Sequence, residues 1–498
     1  MRRWLFPLLA FSFSAQAADP PPAWWEETLG NTQLPIARME KTLTSACRLT
    51  TKKSLFPITA KELTFTAVES LSTIDSRIKA ATDGSRVLLL AKEKVLKSLV
   101  EPDEDDCANW SRLLLAAAVA ARPFSQKAAD ADAEEFFNIF INSYLANLDR
   151  YAHFDGRDPV AETAYKEPSG IGVRYRRIGK YLEITEILPD SPASESDLSV
   201  GDRIAEIDGK RIVDLSRVET LNALRGEKGS EAALTLRKDG KTVRRLLVRR
   251  PVKASPVSYL VDEDAKLMTI RIAAFSERTF PSLLATMKQA KKEKIAGLLI
   301  DLRGNTGGML KAAVDAANLF LPEGLLMIRT EGTDGEHKFY STKKSKRPVY
   351  PITILVDART ASSAEYFAGI LQEYRHAVVV GTPTYGKGVI QTVENINNDG
   401  TLTLTVSRYF LPSGFTPDGV GLFPNVCTSG KQLLDIDKPL MTQTDLKPWR
   451  SGSQKTQRRA RRACPPESRE NQPLDEEIAK DVLVDPEEYN ALLTQFSP

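Results

Sequence analysis

The spacing of apolar residues changes along this chain and divides it into three regions. Between residues 30 and 165, segments such as SRVLLLAKEKVLKSLV and EEFFNIFINSYLANL carry apolar residues at intervals of three and four, which predicts mostly helices. From about 168 to 251 the runs are short and β-branched, and Asp208-Gly209 marks a hairpin turn. This middle region predicts a compact β-rich module with short helices over SPASESDL and SRVETLNALRG.

From residue 265 onwards, apolar strands alternate with amphipathic helices. The strands are predicted over KLMTIRIAAF, IAGLLIDLRG, PVYPITILVD and AVVVGT, and the helices over TFPSLLATMKQAKKEK, MLKAAVDAANLFL and SAEYFAGILQEYR. Wholly apolar strands are buried on both faces, so this order predicts an α/β layered domain. Its functional residues are expected in loops past the carboxyl ends of strands. Residues 431–472, polar and basic, predict a linker or loop, and residues 473–498 predict short helices.

The N-terminus predicts export. MRRWLFPLLAFSFSAQA combines two arginines, an apolar run and a small-residue motif, which is the pattern of a signal peptide over residues 1–17, cleaved after Ala17 or Ala18. The apolar run is shorter than the ~20 residues that span a bilayer, and no later run is long enough. No cysteine adjoins the cleavage site, so a lipid anchor is not predicted. We expect a soluble, periplasmic protein without a transmembrane segment.

Composition limits the classes of partner. The 498 residues predict roughly two to four domains. They are 42% hydrophobic and 27% charged, as in soluble globular proteins. The formal net charge of +3 gives no support for nucleic acid as a partner. The basic runs KKSKR and RRARR are interpreted as solvated loops.

Four cysteines, Cys47, Cys107, Cys427 and Cys464, form no CxxC or zinc-like cluster, so no metal site is predicted. In an oxidising compartment an even number of cysteines favours disulfides. Three pairings are possible, and proximity along the chain favours Cys47–Cys107 and Cys427–Cys464.

Three loops follow predicted strands: DLRGNTGG (301–308), DARTASSAE (357–365) and GTPTYGKGVIQ (381–391). Glycines in the first loop allow the backbone to approach a ligand closely, ahead of a helix with unpaired N–H groups. The P-loop spacing is absent, which leaves an oxyanion hole beside a nearby serine as the better interpretation of this loop.

Ser362 has two interpretations. With Glu365 it fits the capping box S-x-x-E, which closes the start of a helix. As a nucleophile it needs a base, and the chain has three histidines: His153, His337 and His376. His376 is more typical of a structural residue, and the G-x-S-x-G elbow is absent. Lys387, between two glycines, is the alternative base, provided that it is desolvated, because an ordinary lysine is almost fully protonated at pH 7.

The segments DLRGNTGG, TASSAE and GKGVIQ, in this order, resemble the signatures of the carboxyl-terminal processing (tail-specific) serine proteases. Aligning Glu365 with the glutamate of that family places the nucleophile at Ser362 rather than Ser363. Lys387 follows Ser362 by 25 residues, which is the family's separation, and Gln391 matches the family's glutamine. RYFLPSGFTPDGVGLFPNV (408–426) resembles a further family segment, and SYLANLDRYAHF resembles the helix before the family's PDZ domain.

The resemblance implies a ClpP/crotonase-like α/β protease core (253–430), an inserted β-rich PDZ domain (166–252) and an N-terminal helical region (18–165). It implies a Ser362–Lys387 dyad with Gln391 holding the lysine. The implied oxyanion hole uses the amides of Ser363 and of Gly307 or Gly308. Thr306, Thr360 and Ser363 depart from the family pattern, but none replaces a reacting group.

The residues of SGIGV that are implied to bind a substrate carboxyl terminus are Gly170, Ile171, Gly172 and Val173. The expected partners are proteins with accessible apolar C-termini, with an adaptor or a second copy of the chain also possible, and no cofactor. Two competing hypotheses remain: a PDZ scaffold on an idle protease fold, and a Ser–His hydrolase that uses His376.

Overall fold

The computed structural model describes residues 32–92, 94–156, 169–188, 191–215, 217–238, 241–252, 255–341, 350–432, 441–442, 454–470 and 472–494. The predicted signal peptide and the KKSKR run lie outside these residues. By its internal contacts the chain forms two compact units. The first comprises residues 1–158 with 391–405, and the second comprises residues 159–390 with 406–498. By its contacts, the hairpin 391–405 of the predicted protease core groups with the N-terminal region.

The first unit is built around three long helices. Its helices are α1 (Ile36–Lys53), α2 (Ala60–Glu69), α3 (Leu71–Ile74), α4 (Cys107–Ala121), α5 (Gln126–Asp130) and α6 (Ala133–Leu148). Asp106 and Asp132 cap the helices α4 and α6 by accepting hydrogen bonds from first-turn N–H groups. Trp110 and Phe136 lie in the core of this unit, fully buried. A disulfide joins Cys47 of α1 to Cys107 of α4, which is the pairing favoured by proximity.

A three-stranded antiparallel sheet interrupts these helices, so the prediction of a mostly helical region is wrong for residues 78–100. The strands are β1 (Ile78–Thr82), β2 (Arg86–Ala91) and β3 (Lys94–Val100). In β2, Val87, Leu89 and Ala91 are buried while their neighbours are more exposed, which is the two-residue period of a strand. The run VLLL also satisfied a helical period, and so short an apolar run does not distinguish the two. The first unit also contains β4 (His153–Gly156), which pairs with residues 400–403.

The β-rich module at 169–251 has its own core and matches the module predicted from the sequence. Its main sheet has the order β11–β10–β8–β7–β6, and β5 and β12 form a separate pair. The elements are β5 (Ser169–Gly170), β6 (Val173–Ile178), β7 (Tyr181–Ile187), β8 (Arg203–Ile207), β9 (Lys210–Arg211), α7 (Arg217–Leu224), β10 (Glu231–Lys238), β11 (Lys241–Val248) and β12 (Arg250–Pro251). Asp208 and Gly209 have positive φ and form the expected hairpin turn. The segment SPASESDL forms turns instead of the helix expected from its sequence.

A seven-stranded sheet organises the rest of the second unit, with the order β13–β14–β15–β18–β19–β22–β23. The strands are β13 (Val257–Asp262), β14 (Leu267–Ile272), β15 (Gly297–Asp301), β18 (Ile352–Val356), β19 (Val378–Gly381), β22 (Val426–Cys427) and β23 (Met441–Thr442). From β14 to β22 the neighbours are parallel, and β15, β18 and β19 are buried along their whole length. The predicted α/β layered domain is therefore present.

Helices cover both faces of this sheet. One face packs on α8 (Thr279–Lys292), α9 (Leu310–Ala317) and α10 (Ser363–Glu373), and the other on α12 (Pro473–Val484) and α13 (Pro486–Thr494). Successive residues of β15 alternate between the two cores: Leu298 and Ile300 face the first layer, and Leu299 faces the second. Because the central strands are parallel, the loops after β15, β18 and β19 meet at one edge of the sheet, here called the carboxyl edge.

Four strands beside the main sheet were not predicted: β16 (Leu326–Gly332), β17 (Gly335–Tyr340), β20 (Val389–Asn395) and β21 (Gly400–Phe410). Residues 407–410 of β21 pair with β16 in the second unit.

The segment 431–472 is more structured than the predicted linker. It contains helix α11 (Gln454–Ala463), which includes the RRARR run, because glutamine, arginine and alanine are all good helix formers. A disulfide joins Cys427 to Cys464. Within the part of the chain that the structure covers, no helix has the length and hydropathy to cross a bilayer.

Candidate active site

Ser362 lies at the carboxyl edge of the main sheet, between β18 and α10. Its φ is +57°, a left-handed conformation that costs a non-glycine residue about 1–3 kcal/mol. The surrounding structure holds it there: its N–H donates to Glu365 Oε2 at 2.8 Å, and its carbonyl accepts from the Tyr409 hydroxyl at 3.0 Å. Strain of this kind is common at active sites. The side chain is only partly buried, unlike its neighbour Ser363.

Glu365 links the Ser362 turn to the loop that carries Lys387. Its carboxylate is 1% exposed and accepts four hydrogen bonds. Oε2 accepts from the N–H groups of Ser362 and Lys387, both at 2.8 Å, while Oε1 accepts from the Gly386 N–H at 2.8 Å and from the Thr384 hydroxyl. Because one oxygen atom receives both amides, the main chains of Ser362 and Lys387 are neighbours. Burial raises the pKa of the Glu365 carboxyl, and these hydrogen bonds oppose that shift.

The carboxylate half of the predicted capping box is therefore present, since Glu365 accepts from the Ser362 amide. This carboxylate does more than close its own helix, because three of its four donors lie in the 384–387 loop. The sequence pattern S-x-x-E indicated only the local interaction. The distant partners could not be read from spacing within one helix.

The glycine loop after β15 packs directly on the Ser362 turn. A Cβ added to Gly307 would lie 2.7 Å from the Ala361 carbonyl oxygen and 2.9 Å from Ser362 Cβ, so a side chain there would displace the turn. The Gly307 N–H donates to Asn305 Oδ1 at 2.8 Å. Asn305 in turn accepts from the Ala361 N–H through its own carbonyl at 2.9 Å. The two loops are thus joined by main-chain contact.

Two amides at this point have no hydrogen-bond partner among the described residues: those of Gly308 and Ser363. Gly308 lies opposite Phe275 in a parallel β-bridge. The two hydrogen bonds of this bridge use the Gly307 carbonyl and the Met309 N–H, so the N–H of Gly308 takes no part in them. The Cβ position of Gly307 lies 3.1 Å from the Ser363 nitrogen, so this amide adjoins the glycine loop. Because the Gly307 amide is already bonded, Gly308 is the better of the two predicted glycine donors.

Asp357 binds several main-chain amides at the same edge of the sheet. Its buried carboxylate accepts from the amides of Gly304, Thr360 and Arg469, each at 3.0 Å. Arg469 belongs to the segment after α11, and it is ion-paired with the fully buried Asp475 at 2.8 Å. The sequence did not mark Asp357, Arg469 or Asp475. The Asp357–Arg469 bond joins residues 112 apart in the chain, so no local pattern indicates it.

Lys387 is half-buried, and its loop packs closely on residues 416–421. A Cβ on Gly388 would lie 2.4 Å from Thr416 Oγ1 and 2.6 Å from the Asp418 nitrogen, so this position accepts only glycine. Gly386 accepts from the Gly419 N–H at 3.0 Å. The two glycines of the G-K-G motif thus fix the loop around Lys387.

Gln391 lies in the first unit, where its Nε2 donates to the Tyr151 carbonyl at 3.0 Å.

The histidine hypothesis fails on topology. His376 immediately precedes β19, whereas Ser362 follows β18, and these strands are parallel neighbours. His376 and Ser362 are therefore at opposite edges of the sheet. His376 lines a cavity of about 320 Å³ with Tyr350, Pro351 and Tyr489. His337 is exposed beside Asp334 on β17 and its turn, and His153 belongs to the first unit.

The SGIGV segment forms a tight loop in the β-rich module. Gly170, Ile171 and Gly172 are buried, and Val173 starts β6, which is an edge strand. The Gly172 and Ile171 carbonyls accept from the amides of Leu188 and Ala193 at 2.9 and 2.8 Å. Gly172 has φ +81°, and a Cβ there would lie 2.1 Å from Ser191 Cβ, so no side chain fits. An edge strand beside a glycine loop suits the addition of a peptide strand.

No group of three or more metal-ligating side chains occurs in the described ranges. The arrangement at the carboxyl edge consists of a partly buried serine in a strained turn, a lysine loop joined to it by a buried carboxylate, and two amides without a partner among the described residues. These groups can carry out nucleophilic attack and stabilise an oxyanion without a metal.

Comparison with known proteins identifies two regions of the chain. Residues 266–428 match the model of peptidase family S41, and residues 161–237 match that of the PDZ domain. A carboxy-terminal-processing protease of Bartonella bacilliformis is 29% identical over 305 residues, which cover 59% of this chain and 70% of that protein. A carboxyl-terminal-processing protease of Synechocystis is 29% identical over 357 residues, covering 70% and 81%. A solved structure, the photosystem II D1 C-terminal processing protease, is 26% identical, with a TM-score of 0.37 over 58% of this chain and 81% of that one.

Proposed function

We propose that this chain is an exported endopeptidase of the carboxyl-terminal-processing serine proteases, peptidase family S41, with a Ser362–Lys387 dyad. The observation that carries the proposal is the Glu365 carboxylate, whose Oε2 receives the amides of both residues. A buried acceptor shared by two distant loops would hold a nucleophile and a base close to each other. The unbonded amides of Ser363 and Gly308 beside them are the donors that acyl transfer requires.

In the proposed reaction, Ser362 Oγ attacks the scissile carbonyl carbon while neutral Lys387 Nζ takes the hydroxyl proton. The oxyanion of the tetrahedral intermediate accepts hydrogen bonds from Ser363 and Gly308, each worth about 3–4 kcal/mol in the transition state. The C–N bond then breaks, and the lysine proton passes to the leaving amine. Water attacks the acyl-enzyme, Lys387 takes its proton, and the new carboxyl terminus leaves with Ser362 restored. Gln391, four residues after Lys387, is the candidate for holding its ammonium group.

Substrate capture is assigned to the PDZ domain. The edge strand β6 would pair with an extended substrate tail, and amides of the Gly170–Val173 loop would bind its terminal carboxylate. Movement of this domain would then regulate access to the protease site.

Export is supported by the charged, apolar and small-residue pattern of residues 1–17 and by two disulfides, which persist in oxidising compartments.

The test uses an unstructured protein with an apolar C-terminal tail as substrate. We expect the wild type to cleave it and Ser362→Ala and Lys387→Ala to leave it intact, with all three proteins showing the same thermal unfolding midpoint. If the wild type leaves the tail intact while still binding it, the chain is a PDZ scaffold instead.

The test of export is N-terminal sequencing of the protein recovered from the periplasm. The sequence should begin after Ala17 or Ala18, and a sequence that starts at Met1 would contradict export.

A further inference from the structure

Helix α11 carries an exposed row of positive charge. Lys455, Arg458, Arg459 and Arg462 are all exposed and follow the spacing i, i+3, i+4 and i+7, which places them on one helix face. None of the four has an ion pair with a carboxylate in the part of the chain that the structure describes. We call these four residues the basic stripe.

The opposite face of α11 is fixed to the protease core. Ala460 is 5% exposed and belongs to the main apolar core, and Cys464, just past the helix, forms the disulfide with Cys427. Cys427 pairs in β22 with Gly381 at the end of β19. The helix is therefore held at the carboxyl edge of the sheet, where the candidate active site lies.

The fixed face also contacts the loop that packs on Lys387. Arg461 donates to the Val420 carbonyl, and Val420 lies in the 416–421 loop. This loop approaches the Lys387 loop through the bond from the Gly419 N–H to the Gly386 carbonyl at 3.0 Å. Asp418 is the single carboxylate within residues 416–421, and the four exposed cations on the other face of the helix outnumber it.

We propose that the basic stripe binds an acidic segment of the polypeptide substrate and so makes acidic proteins the preferred substrate class of this site. The inference rests on the proposed protease function. A substrate that reaches Ser362 must pass along the carboxyl edge, and exposed cations there raise the local concentration of acidic chains in a salt-dependent way. An anionic membrane would use the same charges, but it gives no reason for the helix to be fixed beside the Lys387 loop. The position therefore favours the substrate.

The experiment compares three substrates that share one unstructured sequence and one apolar tail. They differ in a segment ahead of the tail, which is rich in Asp and Glu, in Ser and Gly, or in Lys. The stripe variant is Lys455→Gln/Arg458→Gln/Arg459→Gln/Arg462→Gln. Its control, Lys288→Gln/Lys291→Gln/Lys292→Gln/Lys294→Gln, removes four exposed cations at the amino end of β15, the other edge of the sheet.

We expect the wild type at low salt to show about a tenfold higher kcat/KM on the acidic than on the neutral substrate, mainly through KM, and to lose this preference at high salt. The stripe variant should cleave the neutral substrate at the wild-type rate and show no acidic preference. The control variant should keep the preference. Loss of the preference in the control as well would mean that net charge, and not the stripe, is responsible.

Equal kcat/KM for the acidic and neutral substrates in the wild type would overturn the stripe proposal while leaving the protease function intact. So would an acidic preference that survives in the stripe variant. Flotation with vesicles that contain phosphatidylglycerol tests the membrane alternative: stripe-dependent flotation without a stripe-dependent substrate preference also overturns the proposal. If the wild type cleaves none of the three substrates, the protease function itself fails.

Discussion

The two edges of the seven-stranded sheet are built from different kinds of interaction. At the carboxyl edge, buried carboxylates such as Glu365 and Asp357 collect amides from several distant loops. At the amino edge, the cavity beside His376 is lined mainly by apolar and aromatic side chains, among them Leu483 and Tyr489. Both edges belong to the same strands and the same cores. A buried polar network is costly unless every member is bonded, so its concentration at one edge identifies where function constrains the fold.

The largest expected effect on activity at the carboxyl edge comes from Glu365→Gln. The glutamine amide keeps one oxygen and replaces the other with an NH2 donor. An NH2 group at the Oε2 position leaves the amides of Ser362 and Lys387 without their acceptor, each at about 1–3 kcal/mol. Since two or more bonds that fix the dyad are lost together, we expect kcat to fall at least 100-fold. The measurement is kcat and KM on the tailed protein substrate, together with the thermal unfolding midpoint.

His376→Ala at the amino edge is the matched comparison for Glu365→Gln. It should keep kcat within about twofold, because His376 is on the other side of the sheet from Ser362. Loss of activity in His376→Ala with retention in Glu365→Gln would reverse the assignment of the two edges and restore the Ser–His hypothesis.

The second test is Gly307→Ala, which forces a methyl group to within 2.9 Å of Ser362 Cβ. Moving the Ser362 turn away from the Gly308 amide weakens the oxyanion site, and losing one such donor typically costs 10²–10³-fold in kcat. Gly324→Ala is the control, because Gly324 also has positive φ, +85°, but its added Cβ would meet nothing within 4 Å. Equal losses in the two variants would show that backbone strain, and not displacement of the site, is responsible.

The seven-stranded core was the most predictable part of the chain. Its strands are apolar throughout, as in Gly297–Asp301 and Val378–Gly381, and only burial on both faces accounts for such runs. The β1–β3 sheet was misread because Val87, Leu89 and Ala91 alternate within an apolar run that also fits a helical period. The hairpin 391–405 lies in the first unit by its contacts, which the sequence could not indicate because chain order does not report long-range contacts.

The candidate site was only partly predictable. Ser362, Lys387 and the glycine loop have local signatures, so a resemblance to known segments finds them. Arg469 has none: its neighbours Ser468 and Glu470 belong to a polar run that predicted a loop. Only the folded chain brings its amide to Asp357 and its guanidinium to Asp475.

That segment provides a third, smaller test, through Arg469→Met. The variant leaves the buried Asp475 carboxylate with only the longer ion pair to Arg303 Nη1, at 3.9 Å. Removing one partner of a buried ion pair costs about 3–5 kcal/mol. We expect the unfolding midpoint of the second unit to fall by about 6 °C or more, with a smaller loss of activity. The double variant Arg469→Met/Asp475→Leu should recover much of the midpoint, because the buried carboxylate is removed together with its main cation, and Arg303 keeps its ion pair with Asp301. If the double variant is as unstable as the sum of both single variants, the ion pair is not the source of the effect.

The smallest expected effect on kcat comes from removing one tyrosine hydroxyl at either edge of the sheet. Tyr409 donates to the Ser362 carbonyl at 3.0 Å, at the start of α10, and Tyr374 donates to the Leu326 carbonyl at 2.8 Å, just past the end of the same helix. Tyr409→Phe keeps the ring and removes one hydrogen bond, worth about 1 kcal/mol, which corresponds to about a fivefold loss of kcat if that bond holds the strained turn. Tyr374→Phe removes a bond of the same kind at the amino edge, so it should lower stability by a similar amount and leave kcat unchanged. Equal kcat values for the two variants would mean that the Ser362 turn keeps its conformation without Tyr409, and that Glu365 alone is sufficient to hold it.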